Sequence, residues 1–157
     1  SDVCSSDLVP IAGATIDAWH SDEEGFYDVQ RGEELQMRGR FQADDDGRFW
    51  FWSVRPKYYP IPHDGPVGQM LQAQGRHPFR PEHVHFMIAA EGCETLVTHL
   101  FIDKDPYLDS DVVFGVKNSL VTDYAERPPG VAPDGSQIEV PYLVLDYDFV
   151  LSRKAKR

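Results

Sequence analysis

Two imidazoles one residue apart stand in the stretch Arg80-Pro81-Glu82-His83-Val84-His85-Phe86-Met87-Ile88. Residues i and i+2 of a β-strand share a face. His83 and His85 are therefore expected to point the same way, their ring nitrogens close enough to hold one metal ion, while Val84 and Phe86 turn to the opposite face. Taken alone, the pair also reads as two hydrogen-bonded histidines at a strand edge. What decides between these readings is what other segments bring to the same face.

The elements that must position this stretch are short and punctuated by Pro and Gly. Residues 9–19 read as a turn feeding an alternating strand, with Ala14, Ile16 and Ala18 on one face. Arg38 to Gln42 can form a strand, followed by the turn Asp44-Asp45-Asp46-Gly47 and a second strand over Arg48 to Val54. That aspartate run lacks the spaced ligands and terminal glutamate of an EF-hand calcium loop, so a hairpin is the better account. Residues 58–66 hold too many prolines for a helix or central strand and form an ordered loop, and a short helix is expected over Pro66 to Ala73. Thr95 to Ile102 predicts a strand with Leu96, Thr98 and Leu100 on one face and Val97, His99 and Phe101 on the other. Leu108 to Leu120 reads as a loop with a helical turn, and Ile138 to Leu151 as one or two strands. Many short strands and few helical patterns predict an all-β fold, a β-sandwich with few short helices.

Composition narrows the function. A chain of 157 residues suits one domain with an ordinary hydrophobic core. Its net charge of −11 argues against nucleic acid or an anionic membrane as partner, because phosphate binding needs clustered Lys and Arg. The basic run Arg153 to Arg157 reads as a solvated tail. Two cysteines, Cys4 and Cys93, are too few for a disulfide framework or a zinc ribbon, and a reducing cytoplasm is the expected location. No apolar run approaches the ~20 residues of a membrane-spanning helix. Residues 1–8 read as a non-native scar, and residues 9–157 as one β-sandwich domain belonging to a longer parent protein.

Four segments, taken in order, make the histidine pair specific: Gly25-Phe26-Tyr27-Asp28-Val29-Gln30; residues 59–68, beginning Tyr59-Pro60-Ile61-Pro62-His63; residues 75–86, containing Arg80-Pro81-Glu82-His83-Val84-His85; and residues 105–115, containing Asp109-Ser110-Asp111-Val112-Val113-Phe114-Gly115. Together they resemble the intradiol ring-cleavage dioxygenases, and their wording is most similar to the hydroxyquinol branch of that family. The resemblance implies a catalytic β-sandwich holding one non-haem Fe(III), with Tyr27, Tyr59, His83 and His85 as its protein ligands. Phenolate is a hard anionic donor suited to a ferric ion, whereas a zinc site would draw on Cys, His and carboxylate.

By the same resemblance, Tyr59 is the ligand that substrate displaces and can take up a substrate proton, and Arg80 stabilises negative charge growing on the substrate. His99 stands where catechol-cleaving members carry a glutamine that supports this arginine, and Val112 and Val113 match residues lining the substrate pocket. His20, His63 and His77 match no ligand position. The expected reaction opens hydroxyquinol (benzene-1,2,4-triol) with O2 between adjacent hydroxyls, giving 3-hydroxy-cis,cis-muconate, the tautomer of maleylacetate. Catechol or a chlorocatechol is the alternative substrate. Full-length members also carry an amino-terminal helical region that makes a homodimer. From another class, a non-catalytic transthyretin-like binding module fits residues 10–15 and 46–49, but gives no reason for two Tyr and two His in this order. A zinc hydrolase built on His83 and His85 lacks a third ligand and a general base.

Overall fold

Side-chain alternation decides the central layer of the computed structural model, which describes residues 2–5, 9–32 and 34–155. Its main sheet has the order β3-β2-β6-β7-β8, from β2 (Thr15–His20), β3 (Arg38–Gln42), β6 (His83–Ala89), β7 (Leu96–Ile102) and β8 (Val121–Thr122). All neighbours are antiparallel except β7 and β8. On one face of this sheet Ile16, Ala18, Val84, Phe86, Ile88 and Leu100 are buried in a single apolar cluster. A second layer closes on it: β1 (Asp2–Ser5) runs parallel to β13 (Asp148–Leu151), and Val3, Phe149 and Leu151 pack into the same cluster with Phe49. The result is a sandwich whose core lies between two sheets.

The opposite face of the main sheet carries the polar set. The register places Trp19 beside His85, His85 beside His99, and His83 beside Phe101. Loops and short elements adjoin this face, among them α1 (Asp28–Arg31) and β4 (Tyr59–Pro60) paired with β5 (Phe79–Arg80); between β4 and β5 in sequence lies α2 (Pro66–Ala73), which opens with proline in its first turn. Leu108–Ser110 and Asn118–Leu120 are single 3-10 turns.

Two sequence expectations fail in instructive ways. The Asp44 turn forms, with the Asp44 carboxylate accepting the Asp46 and Arg48 amides, yet residues 49–54 make no strand. Their alternation serves packing without a ladder: Phe49 enters the core, Phe51 stacks on Phe41 at 4.7 Å, and Trp50 and Trp52 stay exposed. Residues 138–151 contribute to three pieces in three different sheets. These are β11 (Gln137–Ile138) with β10 (Gly130–Val131), β12 (Tyr142–Val144) with β9 (Ala125–Arg127), and β13. Proline at 141, which lacks an amide donor, falls in one of the breaks. Parts of the segment 1–8, the Cys4 side chain and residues 156–157 of the basic tail lie outside the described residues. Cys93 is buried and free. Among the described residues no helix is long and apolar enough to cross a membrane.

Phe86 sits at the centre of the core, 4.8 Å from the Phe149 ring, and is almost fully buried. Phe86→Ala is expected to cost about 3–5 kcal/mol through lost transfer energy and the cavity left behind. Urea unfolding of the variant against the parent measures it.

Candidate metal centre

Four donor atoms meet above the outer face of the main sheet. The His83 and His85 Nε2 atoms are 3.1 Å apart, the Tyr27 hydroxyl is 3.5 Å from His83 Nε2, and the two hydroxyls of Tyr27 and Tyr59 are 3.4 Å apart. Donors held ~2 Å from one ion stand roughly 3 to 3.5 Å from one another, and these three spacings are compatible with that arrangement. Among the described residues no group of three or more His, Cys, Asp or Glu gathers where it could hold a metal. The cluster is instead two phenols and two imidazoles, a set that matches a hard trivalent ion better than zinc.

Each donor is held by its own local device. His83 is buried and its Nδ1 donates to the Pro81 carbonyl at 2.6 Å, which fixes the tautomer and turns the Nε2 lone pair toward the centre. His85 is held by rings: Trp19 stacks on it at 5.0 Å with planes 5° apart, and His99 meets it at 5.5 Å and 69°. Tyr27 precedes α1, where its amide donates to Gln30 Oε1 at 2.8 Å and the following Asp28 is paired with Arg38. Gly25 lets this loop approach the next one. Its φ is 91°, and a Cβ there would lie 2.9 Å from the Tyr58 carbonyl. Tyr59 lies opposite Arg80 in the β4–β5 ladder, in front of a ring cluster in which Tyr58 and Phe79 both pack on Tyr107, at 4.9 Å and 4.7 Å.

The electrostatics suit a cation. Burial lowers the pKa of His83 well below the usual histidine range, and the Arg80 guanidinium lowers it further. Burial likewise brings His85 down to about 4, with His99 and Arg80 adding to the effect. Both imidazoles are thus neutral at physiological pH, with a ring nitrogen lone pair free to bind a cation. Burial and the adjacent Tyr59 push the Tyr27 phenol up, so a phenolate there needs a positive ion beside it. Such an ion would relieve both penalties.

Arg80 borders the cluster. It is buried, its Nη1 donates to His83 Nε2 at 3.2 Å, and Asp111 pairs with it at 3.1 Å. Burial opposes its charge, but the Asp111 carboxylate and the Tyr59 phenol together more than offset this and raise its pKa. His99 Nε2 is buried without a well-formed hydrogen bond, next to Arg80 and the Gly115 backbone. Burial lowers the pKa of His99, as does Arg80, against opposing contributions from Gly115 and Asp111. Of the remaining sequence candidates, Val112 is buried and Val113 is 47% exposed, both on the loop joined to Arg80 through Asp111. His20 is satisfied elsewhere, by the Ser21 carbonyl and the Ser53 hydroxyl, each at 2.6 Å. His63 and His77 also lie outside the cluster, with partners at Ile61 and Ser110.

Sequence reasoning overlooked Trp19 and Asp111. Trp19 could have been found by pairing the alternation of β2 with that of β6. Asp111 stands in a quoted motif, but its partner lies 31 residues away and no local pattern points to it. Another groove, lined by Arg55, Lys57, Glu82 and Lys104, lies apart from the cluster. There Arg55 is paired with Glu82 and Lys104 with Asp123, so its charges are largely matched internally.

A double-layered β fold brings one buried imidazole, His83, and one half-buried imidazole, His85, together with two phenols, and the comparison with known proteins gives the family. A family model described as Dioxygenase (Dioxygenase_C) matches residues 2–153, and the chain belongs to that family. It is 49% identical over 159 residues to hydroxyquinol 1,2-dioxygenase of Rhizobium sp. (strain MTP-10005), covering 96% of this chain and 52% of that protein. It is 50% identical over 145 residues to 6-chlorohydroxyquinol 1,2-dioxygenase of Cupriavidus pinatubonensis, covering 91% and 49%. The crystal structure of hydroxyquinol 1,2-dioxygenase from Pseudomonas putida DLL-E4 superposes with a TM-score of 0.91 at 44% identity, over 98% of this chain and 55% of that one. The chain thus spans about half the length of the relatives it matches. Family membership replaces the alternative of a non-catalytic binding module.

In the metal-free protein, His85 is expected to stay neutral down to about pH 4. An unfolded histidine titrates near 6.5, so between those values the unfolded state binds more protons and stability falls as pH drops through this window. Histidine NMR titration gives the pKa, and urea midpoints at pH 7 and pH 4.5 give the sign.

Proposed function

We propose that this chain is the catalytic part of a non-haem Fe(III)-dependent intradiol dioxygenase that opens hydroxyquinol with O2 to 3-hydroxy-cis,cis-muconate, the tautomer of maleylacetate. The observation that carries this reading is the run of three contacts that links Tyr59 Oη to Tyr27 Oη, Tyr27 Oη to His83 Nε2 and His83 Nε2 to His85 Nε2, at 3.4, 3.5 and 3.1 Å. Those four residues would hold the iron. When bound, ferric iron supplies the Lewis-acid and redox chemistry that makes an electron-rich aromatic diol reactive toward O2. The hydroxyquinol branch is favoured by the relatives carrying that name at 45–49% identity over 96% of this chain, above the 38% of the catechol 1,2-dioxygenase of Candida albicans and the 44%, over 71% of this chain, of the chlorocatechol 1,2-dioxygenase of Rhodococcus opacus.

The chain's own residues then have separable tasks. Tyr59 Oη would take the proton that a substrate hydroxyl sheds on binding, since a phenolate within reach of that hydroxyl is a base. Arg80, held against Asp111 and aimed past His83, supplies a fixed positive charge where the ring oxygens gain negative charge. Such preorganised donors are worth most in a water-poor site. The unpartnered His99 Nε2 can hydrogen-bond a substrate oxygen or the guanidinium. Val112 and Val113 would form the wall beside the ring. The parent protein would act in the cytoplasm as a homodimer on a small aromatic diol or triol, with no nucleic-acid or membrane partner.

Iron-loaded protein should show a visible tyrosinate-to-Fe(III) charge-transfer band that weakens in Tyr27→Phe and in Tyr59→Phe. A folded but colourless and iron-free preparation would sink the assignment. Oxygen uptake should be faster with hydroxyquinol than with catechol, the reverse order overturning the substrate. Arg80→Gln should lower kcat by about 10²- to 10³-fold, as removal of an oxyanion donor does elsewhere, with the iron band retained.

A further inference from the structure

The loop that follows the Leu108–Ser110 turn is built around one carboxylate. Asp111 is 3% exposed, and its two oxygens receive four donors. Arg80 Nε and the Val113 amide reach Oδ1 at 3.1 and 3.4 Å, while Arg80 Nη2 and the Gly115 amide reach Oδ2 at 3.3 and 2.8 Å. Two of these donors belong to the arginine beside the metal cluster. The other two belong to the loop carrying Val112 and Val113. A carboxylate has room for about four donors, so this one is fully used.

The same loop is tied from its outer side as well. The Val112 amide donates to the Phe79 carbonyl at 3.1 Å, and Arg76 Nη2 donates to the Val112 carbonyl at 2.8 Å. Phe114 holds φ at 55°, a region sparsely populated by bulky residues, and such strain persists only where the surroundings over-determine it. Here the Phe114 amide donates to the Asp111 carbonyl at 3.0 Å, and the Arg76 guanidinium lies 4.1 Å over the exposed Phe114 ring. Gly115 leaves no slack: a Cβ there would stand 3.0 Å from Arg80 Nη2 and 3.1 Å from Asp111 Oδ2.

We propose that Asp111 is a positioning residue that sets the Arg80 guanidinium and the 111–115 loop as one rigid unit, so that the charge facing the substrate and the wall beside its ring keep a fixed mutual geometry. The inference rests on the reading of Arg80, Val112 and Val113 given under Proposed function. Asp111 acts through these groups and does not itself touch the metal cluster. Neutralising it leaves the guanidinium buried against a weaker partner and loosens two loop amides in the same step.

The test uses two variants of the whole chain, Asp111→Asn and Arg80→Lys, each removing one half of the clamp. In metal-free protein, hydrogen exchange by ¹⁵N NMR should quicken at least tenfold at Arg80 Nε–H and the Gly115 amide in Asp111→Asn, with β2 and β6 amides unchanged. Arg80→Lys should quicken the Gly115 amide alone by a similar factor. If Asp111→Asn does not fold, Arg80→Lys still decides, and an unchanged Gly115 amide in that variant overturns the proposal. In iron-loaded protein, Asp111→Asn should lower kcat for hydroxyquinol more than tenfold. It should also change the hydroxyquinol-to-catechol ratio of kcat/KM more than threefold, a shift that simple loss of stability would not produce. If the parent turns over neither diol, the functional reading fails while the exchange measurements still judge Asp111.

Discussion

Strand β6 obeys one constraint from which the rest follows: its neighbouring side chains must face opposite ways. Val84, Phe86 and Ile88 are committed to the apolar cluster, and that commitment fixes His83 and His85 on the other face. A slip of one residue against β2 or β7 would put two imidazoles into the core and a phenylalanine among the phenols. Both flanking strands reinforce the correct choice, since Ile16 and Leu100 share the core face while Trp19 and His99 share the polar face. The energy that holds the histidines in place is therefore mostly hydrophobic and is generated on the far side of the sheet.

The phenols are brought in by different physics. No ladder of the main sheet holds Tyr27 or Tyr59. Tyr27 arrives on irregular chain and Tyr59 on the two-residue strand β4, both made rigid by specific contacts: the Asp22 carboxylate accepting the Glu24 and Phe26 amides, the Asp28–Arg38 pair, and the rings of Tyr58, Phe79 and Tyr107. The stretch before His83 is pinned in the same manner. Arg80 is paired with Asp111, the Glu82 side chain with Arg55, and the Glu82 amide with Asp105. A regular sheet and a set of individually anchored loops thus meet at one point.

That division explains what could be read from the residues. Period-two alternation disclosed β2, β6 and β7, the Asp44 turn marked the end of β3, and Pro66 disclosed the start of α2, because those signals are local. The pairing of His83 with His85 on one face followed from the same rule. The two tyrosines carried no spacing signal of their own and became visible only through resemblance of whole motifs, since their positions depend on contacts between distant loops. Residues 49–54 misled because aromatic side chains at alternate positions satisfy a core whether or not their backbone joins a ladder. Residues 138–151 misled because apolar content does not say which sheet each fragment joins.

The sequence distance between the donors carries a kinetic meaning. Tyr27 and His83 lie 56 residues apart, and β2 must find β6 across a comparable length of chain before Trp19 can lie against His85. Non-local pairings of this kind form slowly, because the entropy of closing the intervening loop is spent before the contacts reward it. Tyr59 is added only when β4 meets β5, and that strand leads directly into Arg80 and the histidines. The four side chains are therefore neighbours only once these long-range pairings have formed, and a metal ion that needed all four of them would select chains whose pairings are already in register.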